Sequence, residues 1–414
     1  MLLSKLLTCT LLFAIFSLTY STLSKSDRQK KTKVSEEGSQ TSTRSTSKPR
    51  EELSSSSDDT IHVESAELKE EILEGHGTLD ISERKFGSVV LGYVTPWNNH
   101  GYDVAKWAAK KFTHISPVWF QLKSATIDGV ATCWMDDIIK NNSEAKIVPR
   151  FLFESWLGDE LKHFLTDEQT QYRCGRAIVE FLLRNQMSGA VMEMWLQIMS
   201  MTRGTGAEYL IELIQAWSEE FQKNDLVFIL PLSPPLNQDL QEIGIVSPAL
   251  IEKLLRSVDY INLMTYDFPS ETITGVAPLQ WIEANLRYFL DIAQAHDIDP
   301  SKLLLGLNWY GYDRTGGASN AILGQRQVNS VVKIFIACNY LNICRFIELL
   351  SNPSSKLEFD ESVGEHRILW KNNGVAYFPT LRSIQLRLKL AEHLGVGIAI
   401  WELGQGLDQF TSVL

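Results

Sequence analysis

The sequence predicts an α/β protein, a (β/α)8 TIM barrel with a small α+β insertion between strands seven and eight. Short apolar segments alternate with segments of helical periodicity, which is typical of a parallel sheet. Eight such strands over about 330 residues favour a closed barrel over an open doubly wound sheet. The glycine pattern GxGxxG, which would support an open sheet, does not follow the first strand.

The predicted strands are short, apolar and free of helix-period polarity. They span residues 89–97, 112–122, 146–154, 189–195, 226–231, 258–266, 302–309 and 397–401. The clearest helical patterns lie between them, at residues 103–111, 174–185, 207–222, 248–256, 279–296 and 381–394. This order of elements gives the barrel its alternating layers.

The interval 312–380 is too long to be a simple loop between the last two strands. It contains three short strand patterns, at 356–359, 366–370 and 375–378, which favour antiparallel pairing. We therefore predict that the α+β insertion occupies about residues 312–380.

The N-terminal region predicts a secreted chain. Residues 1–21 resemble a signal peptide, with Lys5 before an apolar stretch and small residues before the expected cleavage point. The apolar stretch is shorter than the ~20 residues of a membrane span, so no span is expected. Residues 22–60 are rich in Ser, Thr, Lys and Glu and predict disorder. Residues 61–80 form an N-terminal arm, and the barrel occupies 81–414.

Composition excludes some classes of partner. The net charge of -11 and the pI near 5.3 argue against nucleic-acid binding, which favours a basic face. After the leader, Cys133, Cys174, Cys338 and Cys344 remain, with neither a disulfide framework nor zinc-ligand spacing. Local pairing of Cys338 with Cys344 stays open, and we expect no metal and no cofactor.

One glycosylation sequon is apparent, Asn141-Asn142-Ser143, in a polar segment. In a secreted chain it predicts a glycoprotein modified at Asn141.

The fourth predicted strand carries a carboxylate in an apolar run. Alternation places Val191, Glu193 and Trp195 on one face of this strand. A carboxylate among apolar neighbours is costly to bury without a partner, which makes Glu193 a candidate site residue. The alternative is a structural carboxylate in a salt bridge.

Aromatic, amide and carboxylate side chains recur where the predicted strands end. In a barrel these C-terminal ends build the site. Aromatic faces beside hydrogen-bonding groups are typical of a groove in which sugar rings stack, whereas aromatic core packing is the alternative. The predicted substrate-binding residues are Trp97, Trp119, Glu154, Glu193, Trp195, Tyr266, Asp267, Asn308 and Trp401.

Several motifs resemble the chitinase-like family, glycoside hydrolase family 18. They are LGYVTPWN at 91–98, HGYDV at 100–104, SPVW at 116–119, LMTYD at 263–267 and WELGQGLD at 401–408. Within the family they are most similar to the branch of chitinase domain-containing protein 1, the stabilin-interacting chitinase-like branch. The resemblance covers about residues 80–414, and it implies a cis peptide bond at Trp401-Glu402.

The family's catalytic pattern D-G-x-D-x-D-x-E is degenerate here. Its positions fall on Ser188, Gly189, Val191, Glu193 and Trp195. The resemblance implies that the last position is the catalytic acid, and an indole cannot serve as one. Glu193 takes the slot of an assisting aspartate in a substrate-assisted mechanism. No catalytic residue is expected.

These observations predict a secreted or lysosomal carbohydrate-binding protein that lacks the catalytic acid and binds chito-oligosaccharide or related glycans. One alternative is an active glycosidase with Glu193 or Glu154 as proton donor. Another is a protein-binding module for a sorting receptor, as the branch resemblance implies. The apolar segment 327–344 has no counterpart in the branch and is either a helix docked on the insertion or a gene-model error.

Overall fold

Eight parallel strands form a barrel in the computed structural model, which describes residues 65–123, 126–127, 133–153, 156, 158–244, 246–270, 272–324 and 346–414. The strands are β1 (Val90–Val94), β2 (His114–Pro117), β3 (Phe120–Lys123), β4 (Thr126–Ile127), β5 (Lys146–Ile147), β6 (Arg150–Phe153), β7 (Gly189–Glu193), β8 (Val227–Leu232), β9 (Tyr260–Leu263), β10 (Leu303–Asn308), β11 (Gly311–Asp313), β12 (Asn320–Ile322), β13 (Lys356–Asp360), β14 (Glu365–Trp370), β15 (Gly374–Phe378) and β16 (Gly397–Trp401). The predicted fold class is confirmed.

The barrel closes through two strands that are each interrupted. The second barrel strand consists of β2 and β3, and the third consists of β5 and β6. β2 pairs with β1 and β5, while β3 pairs with β6, so parallel pairing runs round the whole ring. Ile115 lies opposite Ile147, and Phe120 lies opposite Phe151, so the second strand has one extra residue in this interval. Such a bulge shifts the alternation of side chains.

Most helices cover the outside of the barrel, while the first helix contacts β13 and the short helix that begins at Phe346. The helices are α1 (Ser65–Gly75), α2 (Asn99–Trp107), α3 (Cys133–Asn141), α4 (Gly158–Thr166), α5 (Glu168–Arg184), α6 (Trp195–Thr202), α7 (Ala207–Lys223), α8 (Pro248–Ser257), α9 (Leu279–Ala295), α10 (Phe346–Ser351) and α11 (Leu381–Leu394). Their ends follow local sequence rules. Asp167 caps α5 by accepting from two amides, and Gly395 ends α11 in the left-handed conformation.

The core has an inner and an outer part. The larger cluster fills the space between the sheet and the helices and includes Ala190, Met192 and Met194 of the fourth barrel strand and its end. A smaller cluster inside the barrel includes Val191 together with Tyr93 of β1. The predicted alternation of residues 190–194 therefore agrees with the structure, and Glu193 follows Val191 on the inner face.

The insertion between β10 and β16 is a five-stranded antiparallel sheet in the order β12-β11-β15-β14-β13. The three strands predicted there correspond to β13, β14 and β15. A buried carboxylate ties this sheet to the loop after β9. Glu365 accepts from the amides of Val276 and Ala277 at 2.9 Å and pairs with Arg387 of α11 at 2.9 Å.

Some sequence-based predictions lie outside the described residues. These are the leader and polar segment within residues 1–60, the segment 327–344, and the cysteines Cys338 and Cys344. In the part of the chain that the structure does describe, no helix is long and apolar enough to cross a membrane.

Candidate functional site

An ion pair joins the third barrel strand, at the start of β6, to the C-terminal end of the fourth, at Glu193. Arg150 Nε lies 2.5 Å from Glu193 Oε2, and their side chains are only 11% and 15% exposed. Parallel pairing sets Arg150 beside Val191 and Leu152 beside Glu193, so both charged side chains lie on the inner face. Gln197 Nε2 donates to Glu193 Oε1 at 3.1 Å. Both oxygens of Glu193 thus accept from fixed donors.

An aromatic surface adjoins this pair. Trp401, at the end of β16, packs on Tyr93 with ring centroids 5.3 Å apart, and it is half-buried. The guanidinium of Arg150 lies 5.5 Å from the centroid of the Trp401 ring, within cation–π range. The peptide bond from Trp401 to Glu402 is cis, as the family resemblance implies. Trp401 is therefore placed to offer a ring face at the mouth.

Asp267 and two tyrosines form the adjacent wall. Although much of Asp267 is exposed, its Oδ1 accepts from the hydroxyls of Tyr310 and Tyr312. Loss of solvent around the carboxylate raises the pKa of Asp267, while these hydrogen bonds and Arg314 oppose the rise. Tyr266 packs edge-on against Tyr310 at 6.4 Å. The network joins the sixth strand end to the first strand of the insertion.

Trp97 follows β1 in the chain, and its side chain is 54% exposed. Glu154 lies outside the described residues. The structure therefore brings Glu193, Tyr266, Asp267 and Trp401 together around one mouth, with Trp97 exposed on the loop after β1.

Trp195 does not lie at the mouth, and the prediction that its ring shares the face of Glu193 is wrong. The strand ends at Glu193 and α6 begins at Trp195, so two-residue alternation no longer applies. Its ring is 1% exposed and packs in the cluster between sheet and helices. In this position the indole has no surface to offer a glycan.

Trp119 and Asn308 also differ from expectation. The bulge in the second strand turns Trp119 outward, where its Nε1 donates to the Tyr102 hydroxyl at 2.7 Å and its ring packs on Trp134. Asn308 is buried, and its side-chain amide donates to the Tyr310 carbonyl at 2.8 Å. Trp119 thus packs against the outer core, and the Asn308 side-chain amide is occupied by a neighbouring backbone carbonyl.

Several site residues were not predicted from the sequence. Arg150, Tyr93 and Tyr312 were not singled out, although Arg150 is a charge in an otherwise apolar strand pattern. Within the described ranges, no group of three or more His, Cys, Asp or Glu side chains could hold a metal ion.

A further residue that was not among the predicted site residues is Glu402, which is fully buried beneath the loop that follows β1. It accepts from Asn98 Nδ2 at 2.5 Å and from the Gly404 amide at 3.2 Å. Burial raises the pKa of Glu402 to about 8, and the Asn98 hydrogen bond only partly opposes this. Because Asn98 follows Trp97, the protonation of Glu402 is linked to the loop that carries an exposed ring.

Glu402 should make stability depend on pH. Its pKa is raised from 4.5 in the unfolded chain to about 8, so the folded state binds the proton more tightly. This contribution is fully present below about pH 4.5 and is lost as pH rises through about 8, with a slope of up to about 1.4 kcal/mol per unit. We expect Glu402→Gln to flatten that decline in urea unfolding between about pH 5 and pH 8.

Glu361→Gln is the matched control, because Glu361 lies in an exposed ion pair with Arg382. It should leave the decline unchanged. A Glu402→Gln curve parallel to that of the wild type would refute the assignment.

Comparisons with known proteins identify the family and the fold. The family model for glycosyl hydrolases family 18 matches residues 89–406. Cortical fragment-lytic enzymes of Bacillus anthracis and Bacillus cereus are each 25% identical over 158 residues, which is 37% of this chain and 33% of the relative. The match thus spans about a third of the length of these curated relatives.

Solved structures share the fold. The spore cortex-lytic enzyme SleL of Bacillus megaterium has a TM-score of 0.58 at 20% identity, covering 81% of this chain and 74% of that one. A chitinase of Chromobacterium violaceum has a TM-score of 0.60 at 16% identity, covering 79% and 98%. A Cycas revoluta chitinase in complex with (GlcNAc)3 has a TM-score of 0.56 at 15% identity, covering 78% and 97%.

Proposed function

This chain belongs to family 18 of the glycosyl hydrolases, and from that premise we propose that it binds glycans without cleaving them. The ligand class is chito-oligosaccharide or a related glycan, because a relative of the same fold is a chitinase in complex with N-acetylglucosamine oligomers. The proposal includes membership of the stabilin-interacting chitinase-like branch and a secreted or lysosomal location. Both rest on the sequence motifs and the leader.

The observation that carries the proposal is the state of the carboxylates at the strand ends. A general acid must present a proton to the leaving oxygen. Glu193 accepts hydrogen bonds at both oxygens, Asp267 accepts from two tyrosine hydroxyls, and Glu402 is buried. Of these three carboxylates only Asp267 is exposed, and two tyrosine hydroxyls hold its Oδ1, while the family's acid position carries the buried indole of Trp195.

Binding has support of its own. Trp401 and Trp97 supply aromatic surface, and the Asp267 network supplies polar atoms beside it. Sugar rings gain contact area on such faces at little entropic cost, since aromatic side chains have few rotatable bonds.

Removing either ring should weaken binding. We expect Trp401→Ala or Trp97→Ala to lower affinity for chito-oligosaccharide by up to about tenfold, as a stacking contact contributes roughly 0.5–1.5 kcal/mol beyond its buried area. Isothermal titration of each purified variant measures the loss.

Trp107→Ala is the matched control, because Trp107 is 53% exposed but ends a helix on the opposite side of the barrel from the mouth. It should bind like the wild type. Equal losses in all three variants would argue against a groove at the strand ends.

The same experiments can instead favour either of two other functions. Hydrolysis of chitin oligomers that Glu193→Gln abolishes would favour an active glycosidase with a relocated acid. If no glycan binds and none is cleaved, a protein-binding module for a sorting receptor becomes the better account.

A further inference from the structure

A second exposed tryptophan lies far from the mouth. Trp107 is the last residue of α2, and its ring is 53% exposed. Helices of this barrel run from the mouth to the opposite end, so Trp107 lies at the N-terminal ends of the strands. Lys106 Nζ lies 5.6 Å from the ring centroid. Nothing in the proposed glycan site uses this ring.

The sequon lies against the same residue pair. Asn141 ends α3, is exposed, and its Nδ2 donates to the Lys106 carbonyl at 2.8 Å. One helical turn earlier, Asp137 Oδ2 lies 3.9 Å from Lys106 Nζ. This face of α3 therefore packs along Lys106. The accepting carbonyl belongs to the peptide bond that joins Lys106 to Trp107.

The Asn141 amide can accept a sugar without losing its position. On transfer from a lipid diphosphate oligosaccharide, one Nδ2–H bond breaks and a bond forms from Nδ2 to C1 of N-acetylglucosamine. The lipid diphosphate leaves with its electron pair, and the proton passes to a base of the transferase. Because Nδ2 carries two hydrogens, one remains to donate to Lys106. The first sugar is then attached at a nitrogen that is hydrogen-bonded to Lys106, the residue before Trp107.

We propose that Asn141 carries an N-linked glycan whose first N-acetylglucosamine stacks on the exposed ring of Trp107. The apolar face of the sugar covers a ring that otherwise faces water, and the Asn141 hydrogen bond orients it. The inference rests on the proposed passage of the chain through the secretory pathway. It is independent of what binds at the mouth.

The test compares the full chain, secreted from a eukaryotic host, with its Ser143→Ala variant. That change removes the sequon but keeps Asn141 and its hydrogen bond to Lys106. Peptide mass mapping reads the occupancy of Asn141, and hydroxyl-radical footprinting reads the oxidation of Trp107. We expect a sugar-bearing Asn141 and a fall in Trp107 oxidation by roughly half relative to Ser143→Ala, because one of the two ring faces is covered.

Trp97 provides the internal control, since it is 54% exposed and lies at the mouth. Its oxidation should be equal in the two proteins. Equal oxidation of Trp107 in both would overturn the stacking, and a secreted chain with a bare Asn141 would overturn the modification. Neither result bears on glycan binding at the mouth. That binding is measured separately, by calorimetric titration of the Ser143→Ala protein.

Discussion

Replacing Arg387 with methionine is expected to lower the free energy of unfolding by about 3–5 kcal/mol. Arg387 and Glu365 are 2% and 1% exposed, so the substitution leaves a buried carboxylate without its cationic partner. It also removes donors to the carbonyls of Ala277, Gly364 and Ser383. Urea unfolding of the purified variant measures the loss.

The matched control is Arg287→Met, which removes the same charge from an exposed pair with Glu283 on one helix. Such surface pairs contribute about 0.2–1 kcal/mol. Arg387→Met should also weaken glycan binding, because Glu365 holds the amides of Val276 and Ala277 in the loop that carries Tyr266 and Asp267. A loss no larger than that of Arg287→Met would show that the Arg387–Glu365 pair does not hold the insertion to the loop after β9.

Introducing the family's glutamate at position 195 is expected to destabilise the protein without creating an enzyme. Trp195→Glu removes a buried ring, and truncation of a buried aromatic residue costs about 3–5 kcal/mol. It also places an unpaired carboxylate in an apolar cluster, which adds to the cost. We expect urea unfolding to show that little of the purified variant is folded. We also expect no cleavage of chitin oligomers.

Trp195→Phe is the companion variant. It keeps most of the ring, and the indole nitrogen it removes has no hydrogen-bond partner among the residues that the structure describes. Its loss of stability should therefore be clearly smaller. A well-folded Trp195→Glu protein that cleaves chitin would mean that residue 195 faces the groove, contrary to the placement described here.

The alternation of apolar and helix-period segments, together with the number of residues, was sufficient to predict the architecture. Apolar runs near Val90, Gly189 and Gly397 all became barrel strands, and the late segment before Thr380 became the antiparallel insertion. In these elements the strand preference of the residues and their burial lead to the same prediction. Strands that are covered on both faces have nearly continuous apolar sequences. The inward face of Glu193 followed from alternation alone.

Alternation failed where a strand is interrupted or ends early. The extra residue between Ile115 and Phe120 turned Trp119 outward, and the start of α6 turned Trp195 into the outer core. Neither event leaves a clear mark in a single sequence, since Trp is compatible with a strand, a helix start and a core. Arg150 carries the same signal as Glu193, a charge inside an apolar run, but the strand pairing that brings the two charges together is not written in the sequence.

The most direct test of the account is one titration with two readouts. Purified protein is titrated calorimetrically with an N-acetylglucosamine oligomer, and the same sample is then held and analysed by mass spectrometry for shorter oligomers. We predict saturable binding that Trp401→Ala weakens, with the oligomer recovered intact. Shortened oligomers from the wild type, absent with Glu193→Gln, would contradict the central claim that this barrel binds glycans without cleaving them.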